Sequence, residues 1–247
     1  MKTRLLIAGI VLLAACNAPP RALTVSAAAN VQTAFVEIAA QFEKQTGTQV
    51  TFNFGATGSL AQQIAQGAPV DLFVSADRAT VDELAARGFV ISDTVQLYAR
   101  GQIVLYTRGD SSLRVQSLTD LTNPAIKRIA IANPEIAPYG KAAQQALQRA
   151  GLWATLQPKI VIAENIQQTQ QYADTGNVDA AIVAYSLAMG SKGHWAAIPD
   201  DLYAPIDQAL GVVKGAKNER DARAFAAFVT GPAGRAVLAK YGYGLPN

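Results

Sequence analysis

The residues of this chain best suited to chemistry are small and uncharged: Gly55, Thr57, Gly58 and Ser59, in the turn FGATGS at 54–59. Leu60, Ala61, Ile64 and Ala65 follow at helical spacing, so Thr57 or Ser59 falls at a helix N-terminus. The first turn of a helix has backbone N–H groups without intrahelical partners and carries the positive end of the helix dipole. Hydroxyls and glycines there allow an oxyanion to be held by neutral donors, with no Lys or Arg. A second copy lies upstream, where Leu23–Ser26 reads as a strand and Ala27–Asn30 as a tight turn. Asn30 is a favoured N-cap type, and Val31, Ala34, Phe35, Ile38, Ala39 and Phe42 mark the apolar face of the helix that follows. In an open parallel sheet both turns emerge at the carboxyl edge of neighbouring strands, where such folds bind ligands.

Other chemistries find little support. His194 is the single histidine, beside Trp195 in a Gly-rich loop, with no G-x-S-x-G elbow, no H-E-x-x-H and no cysteine cluster to make a triad or a metal site. Asp71 and Asp77 would repel an anion and read as structural, Asp71 organising a loop and Asp77 capping a helix. Lys141 reads as a solvated helix lysine. The tyrosines are scattered through the chain, as core aromatics are.

The N-terminus reads as an export signal. Lys2 and Arg4 precede an apolar stretch from Leu5 to Leu13, too short for the helix of about 20 residues that spans a bilayer. Leu13-Ala14-Ala15-Cys16 resembles a bacterial lipobox, so residues 1–15 are expected to be a lipoprotein signal peptide, Cys16 the lipidated residue and 16–21 a tether. Cys16 is the one cysteine, which excludes a disulfide framework. Without Lys2 and Arg4 the balance is 19 basic against 18 acidic residues, and no basic patch interleaved with aromatics suggests nucleic acid.

These motifs are positioned by a regular alternation of elements. Strands are expected at 49–54, 70–74, 102–107, 128–132, 159–163, 179–185 and 208–214, and helices at 80–87, 141–150, 166–174 and 219–241. Gly88 and Gly151 end two of the helices, Asn165 caps a third, and Gly231-Pro232 interrupts the last, which Asn218 and Asp221 open in the manner of a capping box. Such alternation predicts an α/β fold with helices on both faces of mostly parallel sheets. Composition marks no boundary; if two lobes exist, the segments near Ile103 and Asp207 join them.

AAAN at 27–30, FGATGSL at 54–60, GAPVDLFVSAD at 67–77, NPEIAPYG at 133–140 and KYGY at 240–243 together resemble the molybdate-binding proteins of bacterial molybdate ABC transporters. The resemblance implies a type II periplasmic binding fold of two Rossmann-like lobes, 22–103 plus 208–247 and 104–207, enclosing a tetrahedral oxyanion in the cleft. Carried over by position, it implies that Asn30 and Thr57 donate from the first lobe and that Tyr139 and Ile166 donate through backbone N–H groups from the second. Gly58, Ser59 and Tyr185 are weaker candidates. Some relatives place a tyrosine in the strand at 179–185 where this chain has Ala184; Tyr185 is one residue later, which along a strand turns it to the other face. The implied function is extracytoplasmic capture of molybdate, with tungstate, for an ABC permease of the inner membrane, by a monomer without cofactor, bound metal or catalysis. The alternative is a binding protein for another tetrahedral oxyanion such as sulfate.

Overall fold

The computed structural model describes residues 22–245, so the expected signal peptide, Cys16 and the tether lie outside the described residues. The chain begins with β1 (Ala22–Ala28), α1 (Gln32–Thr46), β2 (Gln49–Gly55), α2 (Thr57–Ala65), β3 (Leu72–Ser75), α3 (Arg78–Ala86) and β4 (Gln96–Gly101). It continues through β5 (Ile103–Thr107), β6 (Ile129–Ala132), α4 (Pro138–Arg149), α5 (Trp153–Leu156), β7 (Ile160–Ala163), α6 (Ile166–Asp174), β8 (Ala180–Ala184), α7 (Tyr185–Ala188) and β9 (His194–Ala197). It closes with β10 (Ile206–Val212), α8 (Glu219–Thr230) and α9 (Pro232–Lys240).

Two five-stranded sheets result, ordered β2-β1-β3-β10-β4 and β7-β6-β8-β5-β9. In each, three strands pair in parallel and one antiparallel strand, β10 or β5, is inserted before the edge strand. The chain passes from the first sheet to the second at Gln102 and returns between β9 and β10. Ile103, expected at the end of the first lobe, thus opens a strand of the second sheet, and Ile206 and Asp207, expected in the second, open a strand of the first.

Strand alternation distributes the core over both faces of each sheet. Leu72 and Val74 face α1, α8 and α9, whereas Phe73 between them packs with Leu60, Ile64, Val81 and Leu84 of α2 and α3. In the second sheet Ile129 and Ile131 pack with Ala142, Ala143 and Ala146 of α4, while Ala130 joins Ala173 of α6 on the other side. Phe35 of α1, fully buried, holds edge-on contacts with Phe52, Tyr98 and Phe225 at centroid distances of 6.3, 5.5 and 6.3 Å. Among the described residues no helix is long and apolar enough to cross a membrane.

Local signals hold where they act within a few residues. Asn165 caps α6, its Oδ1 accepting from Gln167 N and Gln168 N at 3.0 Å each, and Asp77 caps α3 by accepting from Thr80 N at 2.6 Å. Gly88 takes φ +80°, the left-handed conformation a helix C-terminus asks of glycine. Elsewhere the fold corrects the reading. Asn218 makes no cap bond; its Nδ2 donates to Ala22 O (2.8 Å) and Asp71 Oδ2 (3.2 Å). Asn30 lies inside a 3-10 turn, Ala29–Val31, that precedes α1 and caps nothing with its side chain. His194 and Trp195 belong to β9 rather than a loop, with His194 Nε2 3.0 Å from Gly109 O.

Asp71, expected to organise a loop, ties strand β1 to the residue that precedes α8. Its carboxylate accepts from Thr24 N (2.9 Å) and Asn218 N (3.0 Å) as well as the Asn218 amide, and it is 4% exposed. Asp71→Ala orphans these half-buried donors and is expected to cost about 1–2 kcal/mol, read as a lower urea midpoint at unchanged slope. An unaltered midpoint would show that water replaces the carboxylate without loss.

Candidate functional site

The carboxyl ends of β1, β2, β6, β7 and β8 each release a turn that opens a helix, and these turns meet between the sheets. Ala28, Ala29, Ala56 and Ala76 from the first sheet's turns form one buried cluster with Ala137, Tyr139, Ile166 and Ala184 from the second. Both α6 and α7 lie against the 29–31 turn. The alanines among them let backbone approach backbone.

Within this junction Asn30, Thr57, Tyr139 and Ile166 are all buried, at 2, 2, 2 and 4% exposure. Ala56 is the N-cap of α2 and Thr57 its first residue; Thr57 Oγ1 accepts from Ala76 N at 3.0 Å, which leaves the hydroxyl proton to donate elsewhere. Tyr139 follows Pro138 in the first turn of α4, and Ile166 opens α6, so the backbone N–H of each has no intrahelical partner. Because Asn165 spends its cap oxygen on Gln167 and Gln168, it does not occupy the Ile166 N–H. Gly58 differs: its N–H donates across the cleft to Ile136 O at 2.8 Å, and a Cβ there would sit 3.1 Å from Ile136 Cα and O. Its use is close approach of the lobes. Ser59 is half-buried in the first turn of α2.

Tyr185 goes elsewhere. The strand ends at Ala184, Tyr185 opens α7, and its ring lies edge-on to Trp195 at 4.9 Å while its N–H donates to Gln102 O. The next residue, Ser186, instead brings its hydroxyl 3.5 Å from Asn30 O. A one-residue difference in where the strand stops decides which of the two faces the junction.

The sequence gives no hint of the polar cluster behind Asn30. Asn30 Nδ2 lies 2.8 Å from Gln208 Oε1, 3.1 Å from the Tyr243 hydroxyl and 3.4 Å from the Tyr139 hydroxyl. Gln208 Nε2 is 3.1 Å from the Tyr139 hydroxyl, and the Tyr98 hydroxyl is 2.8 Å from Gln208 Oε1 and 3.1 Å from Ser75 O. Tyr243 donates to Asn30 O at 2.7 Å. Gln208 is fully buried on β10, and Tyr139 reaches it from the other lobe. The side chains that bond one another are 69 to 213 residues apart in the chain, which leaves no local trace.

None of these groups carries a charge. Burial pushes the Tyr98, Tyr139 and Tyr243 hydroxyls well above their ordinary ionisation range, so all three remain proton carriers. Asp77 is committed to its helix cap. Among the described residues no group of three or more His, Cys, Asp or Glu could hold a metal ion. A set of first-turn amides and hydroxyls with no base beside them can bind an anion and has no means of activating a nucleophile.

The chain matches the family of bacterial extracellular solute-binding proteins over residues 23–244. It is similar to the molybdate-binding protein ModA of Rhodobacter capsulatus, 36% identical over 218 residues, which covers 87% of this chain and 85% of that protein. The solved periplasmic molybdate-binding protein of Azotobacter vinelandii superposes with a TM-score of 0.87 at 32% identity, covering 91% of this chain and all of that one. A Bacillus subtilis protein named as an ABC transporter substrate-binding lipoprotein is 33% identical over 226 residues, 90% of this chain and 85% of its own length.

The buried tyrosines couple the stability of the fold to alkaline pH. Their folded-state ionisation lies above the unfolded value near 10, so their contribution is complete below that pH and is lost above it as the unfolded chain releases protons. Each contributes a slope of up to about 1.4 kcal/mol per pH unit. Tyr98→Phe is expected to flatten the fall of the urea midpoint above pH 10 relative to the parent; identical alkaline slopes would mean that Tyr98 ionises as readily folded as unfolded.

Proposed function

Because the chain belongs to the bacterial extracellular solute-binding proteins, and within them to the molybdate-binding family, we propose that it captures molybdate and delivers it to an ABC permease of the inner membrane. Members of this family are transport components and not enzymes, and the chain shares their two-lobed α/β fold. The observation that carries the reading is the convergence of uncharged donors from both lobes on one buried junction: the Asn30 turn and Thr57 from one side, the first-turn amides of Tyr139 and Ile166 from the other.

In this reading Thr57 gives a hydroxyl proton, Asn30 a side-chain donor, and Tyr139 and Ile166 backbone N–H groups, with Ser59 and Ser186 at the margin. Gly58 brings the lobes together, and Tyr185 is not a ligand. The binding residues divide between the two lobes, one built on each sheet, so a bound anion favours the closed state by its differential contacts with it. An all-donor cage accepts a fully deprotonated oxyanion and disfavours a protonated one, whose O–H would find no acceptor. Tungstate, of nearly the same size and charge, binds as well; sulfate is smaller and fits the cage poorly. The protein acts as a monomer held to the membrane by a lipid on Cys16, a reading supported by the Leu-Ala-Ala-Cys sequence and the lipoprotein relative.

Isothermal titration of the protein with molybdate, then sulfate and phosphate, tests this: one-to-one molybdate binding without response to the other two is expected. Thr57→Ala removes a hydrogen bond to a charged ligand and is expected to raise the molybdate Kd about 10- to 100-fold, for about 1.5–3 kcal/mol. An unchanged Kd would take Thr57 out of the site, and silence toward molybdate would overturn the function.

A further inference from the structure

The buried cluster behind Asn30 contains an imbalance of protons and acceptors. With the amides placed as above, Asn30 Nδ2 and Gln208 Nε2 both point at the Tyr139 hydroxyl oxygen, whose own proton then faces two donors. Gln208 Oε1 takes Asn30 Nδ2 and Tyr98 together, and Asn30 Oδ1, on the branch turned away from the cluster, is buried with no partner at all. A buried carbonyl without a donor is destabilising, because it has given up water for nothing. In an anion site it would also present a negative dipole beside the ligand.

A half-turn of an amide exchanges its oxygen and nitrogen without changing its shape, and the network decides which is where. Turning Asn30 alone would set two carbonyl oxygens 2.8 Å apart, against Gln208. Turning both removes the orphaned carbonyl and gives the Tyr139 proton an acceptor; the close contact left without a proton of its own is Asn30 Oδ1 to the Tyr243 hydroxyl at 3.1 Å, where Tyr243 shares the proton it gives Asn30 O. Tyr139 then donates to the Gln208 carbonyl over the 3.1 Å contact, and the Gln208 NH2 donates to the Asn30 carbonyl and to the Tyr98 oxygen over the two 2.8 Å contacts. Tyr98 then gives its proton to Ser75 O, and Tyr243 donates to Asn30 O as before. The one group left over is the Asn30 NH2, directed away from the cluster.

We propose that Gln208 is a positioning residue that fixes the polarity of the Asn30 amide, so that Asn30 presents NH2 and not C=O to the bound oxyanion. The relay runs from Tyr139 through Gln208 to Asn30, and it joins the lobes, since Tyr139 comes from α4, Gln208 from β10 of the first sheet and Asn30 from the turn after β1. Gly101 makes room for it: a Cβ there would overlap the Tyr139 hydroxyl and come within 2.9 Å of Gln208 Nε2. The inference rests on the anion-binding reading and adds to it a residue that never touches the ligand.

The test is 15N NMR of the side-chain amides of the protein during titration with molybdate, with the Asn30 resonance assigned by its loss in Asn30→Ala. The Asn30 NH2 protons are expected to shift strongly as molybdate binds, and Gln208→Met is expected to raise the molybdate Kd at least tenfold with the backbone spectrum preserved. Binding of molybdate by the parent with an unmoved Asn30 NH2 signal would overturn the relay, as would parent-like affinity in a folded Gln208→Met. Should that variant not fold, the parent's amide signal decides alone. A parent that binds no molybdate would sink the function and the relay together.

Discussion

An anion leaves water only where donors already aimed at one point replace its hydration shell, and without a counter-charge those donors must be helix-end amides and neutral side chains. That constraint explains the arrangement of this molecule better than its core does. One strand-to-helix turn offers two or three free amides; a tetrahedral ligand needs approach from several sides. Two sheets with the same strand order, their carboxyl ends facing, supply turns from opposite directions. The alanines at 28, 29, 56, 76, 137 and 184 keep the turns close, and the Gly58 N–H to Ile136 O bond marks where backbone meets backbone across the cleft.

The polar cluster of Asn30, Tyr98, Tyr139, Gln208 and Tyr243 is the second consequence. Burying five polar side chains would be expensive if any were poorly matched, and inside a low-dielectric junction the same groups reinforce one another when matched. The antiparallel strand β10 has a purpose here. It is inserted between β3 and β4 as the chain returns from the second lobe, and it carries Gln208 to the back of the Asn30 turn. The crossing that makes the protein two-lobed thereby also delivers the residue that orders its cleft.

Much of this was legible in the sequence, and the exceptions share a cause. Helix α6 is readable to the residue, because a cap and an apolar spacing act within one turn, and the FGATGS turn is readable for the same reason. Strands β4 and β9 escape notice, as QLYARG and HWAA carry too little alternation to stand out. Asn218 looks like a helix cap but answers to Asp71, 147 residues away. Tyr98 and Tyr243 are core aromatics by every local criterion, and only their hydroxyls, set by pairings across the whole chain, do anything else. Which side chain faces the cleft after β8 turned on the strand ending at Ala184, a choice made by pairing with β5.

A molybdate ion that bridges donors of both lobes holds the cleft closed only through contacts the open state lacks. Spin labels at Gln62→Cys on α2 and Gln148→Cys on α4, both exposed, report the distance between lobes in a chain whose single cysteine, Cys16, is replaced by serine. Pulsed dipolar spectroscopy is predicted to show one narrow, shorter distance with saturating molybdate and a longer or broader one without it or with sulfate. A distribution that molybdate binding leaves unchanged would contradict the account.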